Sequence, residues 1–248
     1  MFHSLIARPL LTLAAVAVLF PAAAEAGQRK FVFSYEATTS PKGAVEFENW
    51  VTFKHGNGEE NSFEFRHELE FGVTDRLQLG VYVADWSYSD MAGAVYADSG
   101  VELIYNLTNP TTDFLGSALY FEALAGDEVA SLEGKLLLQK NFGPWVVAYN
   151  LVLEGKWEGD NLDQREGEFA QTLGVSYEVT PNFSVGLEAF HEIAMPDWSE
   201  AKESIVFAGP NASVRVGQFY ATAAGLLQVT DVNGEPAVES RVILGYDF

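Results

Sequence analysis

From Gly43 onward the chain alternates with period two. In 62–72, Phe63, Phe65, Leu69 and Phe71 fall on one face while Glu64, Arg66, Glu68 and Glu70 fall on the other. In the next run Leu77, Leu79, Val81 and Val83 alternate with Gln78, Gly80 and Tyr82. A pleated strand whose two faces meet different surroundings produces this pattern, and helical spacing is scarce throughout. Gly, Pro, Asn and Asp punctuate the runs. The reading is twelve strands, over 44–54, 62–72, 76–86, 94–106, 115–125, 129–142, 145–157, 167–179, 182–193, 203–216, 218–228 and 238–248. Each strand of about 11 residues matches the ~9–11 that a tilted strand needs to cross a bilayer.

Connections alternate in kind. Those at 73–75, 142–144, 179–182 and 216–218 are tight, with the longer 106–113 as the exception, and those at 55–61, 158–166, 195–202 and 230–237 are longer and acidic. An even strand number with short turns at one end and long loops at the other predicts an all-β fold, a transmembrane antiparallel up-and-down β-barrel with a polar lumen in the bacterial outer membrane. Alternation alone does not tell inside from outside, so a soluble barrel or sandwich is the competing fold. Apolar-out is favoured by the charge density of the polar face. It is favoured too by aromatics near strand ends, with Phe71, Tyr105, Trp145 and Tyr177 at one end and Phe53, Phe63 and Trp157 at the other. The last strand, Val242, Leu244, Tyr246, Phe248, resembles the C-terminal signal read by the barrel assembly machinery. The expected partners are that machinery, through Phe248, together with outer-membrane lipid and lipopolysaccharide.

Residues 1–26 carry Arg8, an apolar run from Leu10 to Phe20, and Ala24-Glu25-Ala26 before Gly27, the pattern of a secretory signal peptide. Residues 27–43 form an N-terminal segment with Phe31, Phe33 and Tyr35 in alternation. Three placements are open to it: a plug in the lumen, a periplasmic strand, or a loose tail. The barrel spans 44–248. Lys and Arg number 14 against 35 Asp and Glu, a net charge of −21, which argues against a nucleic-acid partner. Cysteine is absent, which removes disulfides, thiolate metal sites and cysteine nucleophiles. No zincin, nucleophile-elbow or phosphate-loop motif is found, and the histidines beyond residue 26 are His55, His67 and His191. The expectation is a non-enzyme without cofactor or metal. Oligomeric state is left open.

Three blocks carry a resemblance: Thr38-Thr39-Ser40-Pro41-Lys42-Gly43, Glu48-Asn49-Trp50-Val51-Thr52, and Phe65-Arg66-His67-Glu68-Leu69-Glu70-Phe71-Gly72-Val73-Thr74-Asp75. Together they resemble an uncharacterised family of bacterial outer-membrane β-barrels of unknown function. The E-x-E-[FY]-G-x-T-D hairpin at Glu68 to Asp75 is more distantly similar to transporters of the phenol meta-cleavage pathway. The resemblance implies a barrel and an outer-membrane location, and it brings no catalytic or ligand residues.

If the first hairpin is symmetric about Gly58, Phe53 faces Phe63, Val51 faces Phe65, and Asn49 faces His67 on the lipid side. The same register opposes Glu46 to Glu70 and Glu48 to Glu68 on the lumen side, which is destabilising unless compensated. Glu64, Asp98, Glu102 and Glu122 are further lumen acids, and Arg66, Arg76 and Arg241 are lumen bases. Arg66 is the only base between the opposed carboxylates. Two polar groups facing lipid are costly unless they bond each other, so Asn49 and His67 read as a structural pair or subunit contact. The pair resembles part of the outer-membrane phospholipase site, but Phe65 and Leu69 flank His67 and Val81 and Val83 face it, so it lacks a serine nucleophile. Acids outnumber bases about two to one on the lumen face. The expected function is a porin-like channel for passive passage of small cationic or neutral solutes. The alternatives are a closed structural or adhesin barrel with an ion-paired lumen, and a lipid-facing hydrolase.

Overall fold

The computed structural model describes residues 29–56 and 59–248. The signal-peptide reading for 1–26 and the hairpin tip at Gly58 lie outside the described residues. Thirteen strands follow in order: β1 (Val45–Gly56), β2 (Glu59–Thr74), β3 (Leu77–Ser89), β4 (Gly93–Tyr96), β5 (Asp98–Thr108), β6 (Gly116–Gly126), β7 (Val129–Phe142), β8 (Trp145–Glu158), β9 (Gln164–Thr180), β10 (Phe183–Pro196), β11 (Ile205–Val216), β12 (Phe219–Gln228) and β13 (Val238–Asp247). Neighbours in the chain pair antiparallel, and β1 pairs with β13 from Glu46↔Asp247 to His55↔Val238, which closes the sheet into a barrel. The run expected at 94–106 is interrupted at Ala97. β4 and β5 nevertheless keep one register against β3, and the Ala97 N–H donates to the Asp85 carbonyl at 2.8 Å. Together they make the fourth of twelve barrel staves.

The first hairpin has the expected register, with Phe53↔Phe63, Asn49↔His67, Glu48↔Glu68 and Glu46↔Glu70. The alternation of β3 departs from expectation. Val83 is an extra residue opposite the His67–Glu68 step, so His67 faces Ala84, Asp85 turns inward and Trp86 turns outward. Tyr82 and Asp85 both have lumen partners, Glu102 at 2.5 Å and Arg66 at 2.7 Å, yet they stand an odd number of residues apart. Only a bulge lets both face in.

Apolar side chains cover the outside. Trp145 packs edge-on to Tyr177 at 4.9 Å and Phe219 on Tyr246 at 4.5 Å near the short turns, while Trp157 meets Trp198 at 5.7 Å near the long loops. Such belts suit the two interfaces of a bilayer.

Of the three placements open to the N-terminal segment, the structure has it inside the lumen. An irregular backbone there needs partners for every buried N–H and C=O, and lumen side chains supply them. The Glu188 carboxylate accepts the N–H groups of Val32, Phe33 and Ser34 at 3.0, 2.8 and 3.0 Å. Asn150 accepts from the Tyr35 N–H at 2.7 Å and donates to its carbonyl at 2.9 Å, imitating a strand neighbour. Gln139 accepts from Ala37, Gln78 from Ser40, and Asn211 donates to the Lys30 carbonyl. The side chains of the segment join inward apolar residues in a core of Val32, Tyr35, Trp50, Tyr120, Leu137, Phe207 and Leu226, with Phe33, Phe190 and Phe207 in a stack. Gly174 makes room for Phe31, since a Cβ there would stand 2.5 Å from its ring.

Removing the Glu188 acceptor would orphan three N–H groups at about 1–3 kcal/mol each. Glu188→Ala should therefore speed hydrogen exchange through residues 32–37 while the barrel strands stay protected. Unchanged exchange in that variant would mean that Glu188 does not hold the segment.

Candidate functional site

The lumen narrows at Tyr35. Its ring meets Tyr120 edge-on at 4.9 Å, and its hydroxyl reaches Glu102 at 3.3 Å. Tyr82 donates to Glu102 at 2.5 Å and lies 3.2 Å from the Tyr120 hydroxyl, which bonds Glu122 at 2.7 Å. A cavity of about 520 Å³ lies on the long-loop side, lined by Phe33, Tyr35, Arg66, Asp98, Glu154 and Glu168 among others. On the short-turn side, cavities of about 270 and 560 Å³ flank the segment, the first lined by Tyr35, Glu46, Glu48 and Glu70, the second by Lys30, Gln139 and Glu178. Tyr35 borders both the first of these and the long-loop cavity.

Strand pairing lines up carboxylates along the wall. Glu102 faces Glu122, Glu122 faces Glu133, Glu133 faces Glu154 and Glu154 faces Glu168, on five consecutive staves. In the other direction Gly80 separates Glu102 from Glu70, Glu70 faces Glu46, and Glu46 faces Asp247. This ladder runs from the short-turn cavity, through the constriction at Glu102, to the long-loop cavity. Like charges opposed across strands repel, and the compensation is partial. Arg66 reaches Glu122 at 3.2 Å, Lys135 reaches Glu133 at 2.8 Å, and Arg215 pairs with Asp247. Glu154 and Glu168 have no bonded partner among the described residues.

The sequence-predicted lumen residues are mostly on the lumen wall. Glu46, Glu48, Glu68, Glu70, Glu102 and Glu122 are buried. Glu64 is partly exposed beside Lys54 at 2.8 Å, and Asp98 lines the long-loop cavity. Arg241 binds Thr52 at 2.8 Å and the Val32 carbonyl at 3.1 Å, so it braces the segment. Two expectations are corrected. Arg76 sits exposed in the β2–β3 turn, not on the lumen wall, because that turn ends one residue later than expected. Arg66 does not neutralise the opposed carboxylates of the first hairpin. Stacked 3.9 Å over Tyr82, it turns toward Asp85 and Glu122, and the base at Glu48 is Arg29 of the segment, at 3.1 Å. Sequence reasoning missed Asp85, hidden by the bulge, and the inward amides Gln139, Asn150 and Asn211; it put Gln78 on the polar face without its role as a partner of Ser40. Their spacing on inward positions was the available signal.

On the outer wall His67 Nδ1 lies 2.8 Å from Asn49 Oδ1, and no hydroxyl of the described residues bonds the imidazole. A serine does approach a different histidine: Ser204 Oγ lies 2.6 Å from His191 Nε2. Gln171 Oε1 is taken by the Tyr149 hydroxyl at 2.5 Å, which leaves its amide nitrogen 3.3 Å from His191 Nδ1. A Gln171 amide donating to Nδ1 corresponds to the tautomer with the proton on Nε2, facing Ser204, the reverse of what a general base needs. Phe248 ends the chain with its N–H on the Val45 carbonyl at 3.0 Å and its ring edge-on to Tyr246 at 5.0 Å.

The fold is that of outer-membrane channels and porins. The COG4313 outer membrane channel from Pseudomonas putida F1 matches with a TM-score of 0.62 at 15% identity, covering 88% of this chain and 100% of that one. The NanC porin matches with 0.56 at 10% identity, over 82% and 98%. The KdgM porin in complex with disordered oligogalacturonate matches with 0.50 at 9% identity, over 83% and 99%. At these identities the likeness is one of architecture. No curated protein matches the sequence. A family described as a family of unknown function (DUF6662) matches residues 23–240, and the chain belongs to that family.

Proposed function

We propose that this protein is an outer-membrane channel for small cationic or neutral solutes, with the N-terminal segment as its internal constriction. The carboxylate ladder carries the reading: it joins cavities at both ends of the lumen past Tyr35, and in its long-loop half Glu154 and Glu168 have no bonded partner among the described residues. A low-dielectric wall focuses the ladder's field, concentrating cations and repelling anions. The cation preference is assigned to this half of the ladder and not to Glu48 and Glu68, which are buried from solvent. The fold likeness to channels and porins supports the reading. Insertion into lipid and lipopolysaccharide by the assembly machinery, through the strand ending at Phe248, completes it. The closed barrel is the second reading, favoured by the hydrogen bonding of residues 29–41 to the lumen.

Planar-bilayer recording separates the two. The native protein should conduct weakly with cation preference, and deleting residues 27–41 should raise the conductance several-fold. The preference should fade as the Debye length falls from ~30 Å at 0.01 M salt to ~3 Å at 1 M. The double variant Glu154→Gln, Glu168→Gln should move the reversal potential toward zero. Silence from both the native and the shortened protein would assign the chain to the structural class.

The lipid-face pair makes its own prediction. His67→Phe should be tolerated or mildly stabilising in a detergent unfolding titration, since it places an apolar group against lipid. Asn49→Leu alone should cost about 1–3 kcal/mol by leaving the imidazole unpartnered. Ester hydrolysis by the pure protein, abolished by His67→Phe or by Ser204→Ala, would replace the channel with a lipid-facing hydrolase.

A further inference from the structure

Glu48, Glu68 and Glu70 each offer one carboxylate oxygen, and these oxygens lie within 4.8 Å of one another with all three side chains buried. Two of the three are already held in place. Glu48 accepts from Arg29 at 3.1 Å and from the Trp50 indole at 2.6 Å, and it bonds the Tyr220 hydroxyl; Glu70 accepts from the Gln78 amide at 2.7 Å. Glu68 is different. It is 0% exposed, and neither of its oxygens has a hydrogen-bond donor. Among the described residues no basic side chain forms an ion pair with Glu68 or Glu70. The wall makes room for the lone carboxylate, since a Cβ on Gly80 would stand 2.2 Å from Glu68 Oε1. A buried carboxylate with no donor and no counter-charge is among the costliest groups a fold can hold.

We infer that these three carboxylates bind a divalent cation, and that the site suits calcium better than magnesium. Oxygen ligands are the preference of hard cations. Mg²⁺ dehydrates reluctantly and usually keeps several waters, whereas Ca²⁺ takes carboxylates in flexible geometry, so a buried carboxylate triad suits the larger ion. Oxygens that all lie within 4.8 Å of one another can share one ion. Charge points the same way: three carboxylates and the Arg29 guanidinium sum to −2, and Glu46 and Glu102 stand beside them, so the cluster holds an excess of negative charge that a divalent ion would offset. Tyr220, Trp50 and Gln78 bond the carboxylates from outside and orient them, as outer partners of metal ligands do. The ion would tie β1 to β2 and to Arg29 of the segment, and the site does not require an open lumen.

The test uses the full barrel in detergent micelles, stripped with EDTA and titrated with Tb³⁺, whose emission is sensitised by a neighbouring indole. Trp50 touches the site. Saturable emission at one equivalent is expected, displaced by Ca²⁺ at lower concentration than by Mg²⁺. Glu68→Gln should weaken binding about tenfold or more, and Asp160→Asn, in the exposed loop between β8 and β9, should leave it unchanged. Emission that never saturates, or a Glu68→Gln protein that binds like wild type, overturns the assignment and leaves shared protons as what neutralises the triad. If Glu68→Gln fails to fold, Glu70→Gln takes its place. The wild-type melting temperature gives an independent reading: it should rise with Ca²⁺ over EDTA, and an unchanged value counts against the site.

Discussion

Closure of β1 onto β13 is the constraint on which the rest depends. Lipid offers no hydrogen bonds, so an open sheet edge at membrane depth would orphan a row of N–H and C=O groups at several kcal/mol each. The ladder from Glu46↔Asp247 to His55↔Val238 removes both edges at once. Once the sheet is closed, period-two alternation becomes inside against outside, and a register slip of one residue would send a run of glutamates into lipid. The bulge at Val83 is the one such phase change in β3, and it leaves Asp85 in the lumen and Trp86 on the outside.

The same closure forces polar groups together. Strands rich in inward Glu are placed side by side, and cross-strand pairing turns scattered acids into a ladder. Each acid is a neighbour of the next whether or not a base is at hand. The bases are too few for one-to-one pairing, and several are spent elsewhere: Arg241 braces Val32 and Thr52, and Lys30 reaches Glu178 at 2.7 Å. Repulsion along the ladder is therefore a standing electrostatic demand for cations, whether supplied by the chain or from solution.

The N-terminal segment answers part of that demand and creates a second interior. Arg29 brings a guanidinium to Glu48, 4.5 Å over the Tyr35 ring and 4.6 Å over Trp50. Val32, Phe33 and Tyr35 give the lumen an apolar centre that the strands could not build alone. The inward amides then act as surrogate strand partners for a backbone that forms no sheet. Acids of the ladder and amides share staves at different heights, Glu133 with Gln139 on β7 and Glu154 with Asn150 on β8: the ladder acids face one another, and the amides face peptide.

Much of this was legible beforehand because it is local. Alternation, turn residues and the sum of strand lengths reveal a twelve-stave barrel, and hairpin symmetry yields Asn49 against His67 and Glu48 against Glu68 without any tertiary information. Arg66 and Arg76 show the limit of that reasoning. Arg76 depends on where a turn ends to the residue, and Arg66 on a choice between partners above and below it, decided by stacking on Tyr82. The sequence by itself determined which face the strand residues take, those beyond the Val83 bulge of β3 excepted, and which residues oppose one another across a tight hairpin, since backbone period and turn geometry set both. Only the tertiary structure decided the fate of residues 29–43 and the joining of Glu102, Glu122, Glu133, Glu154 and Glu168. Those depend on contacts across the barrel and on register accumulated over many strands, which no local pattern encodes.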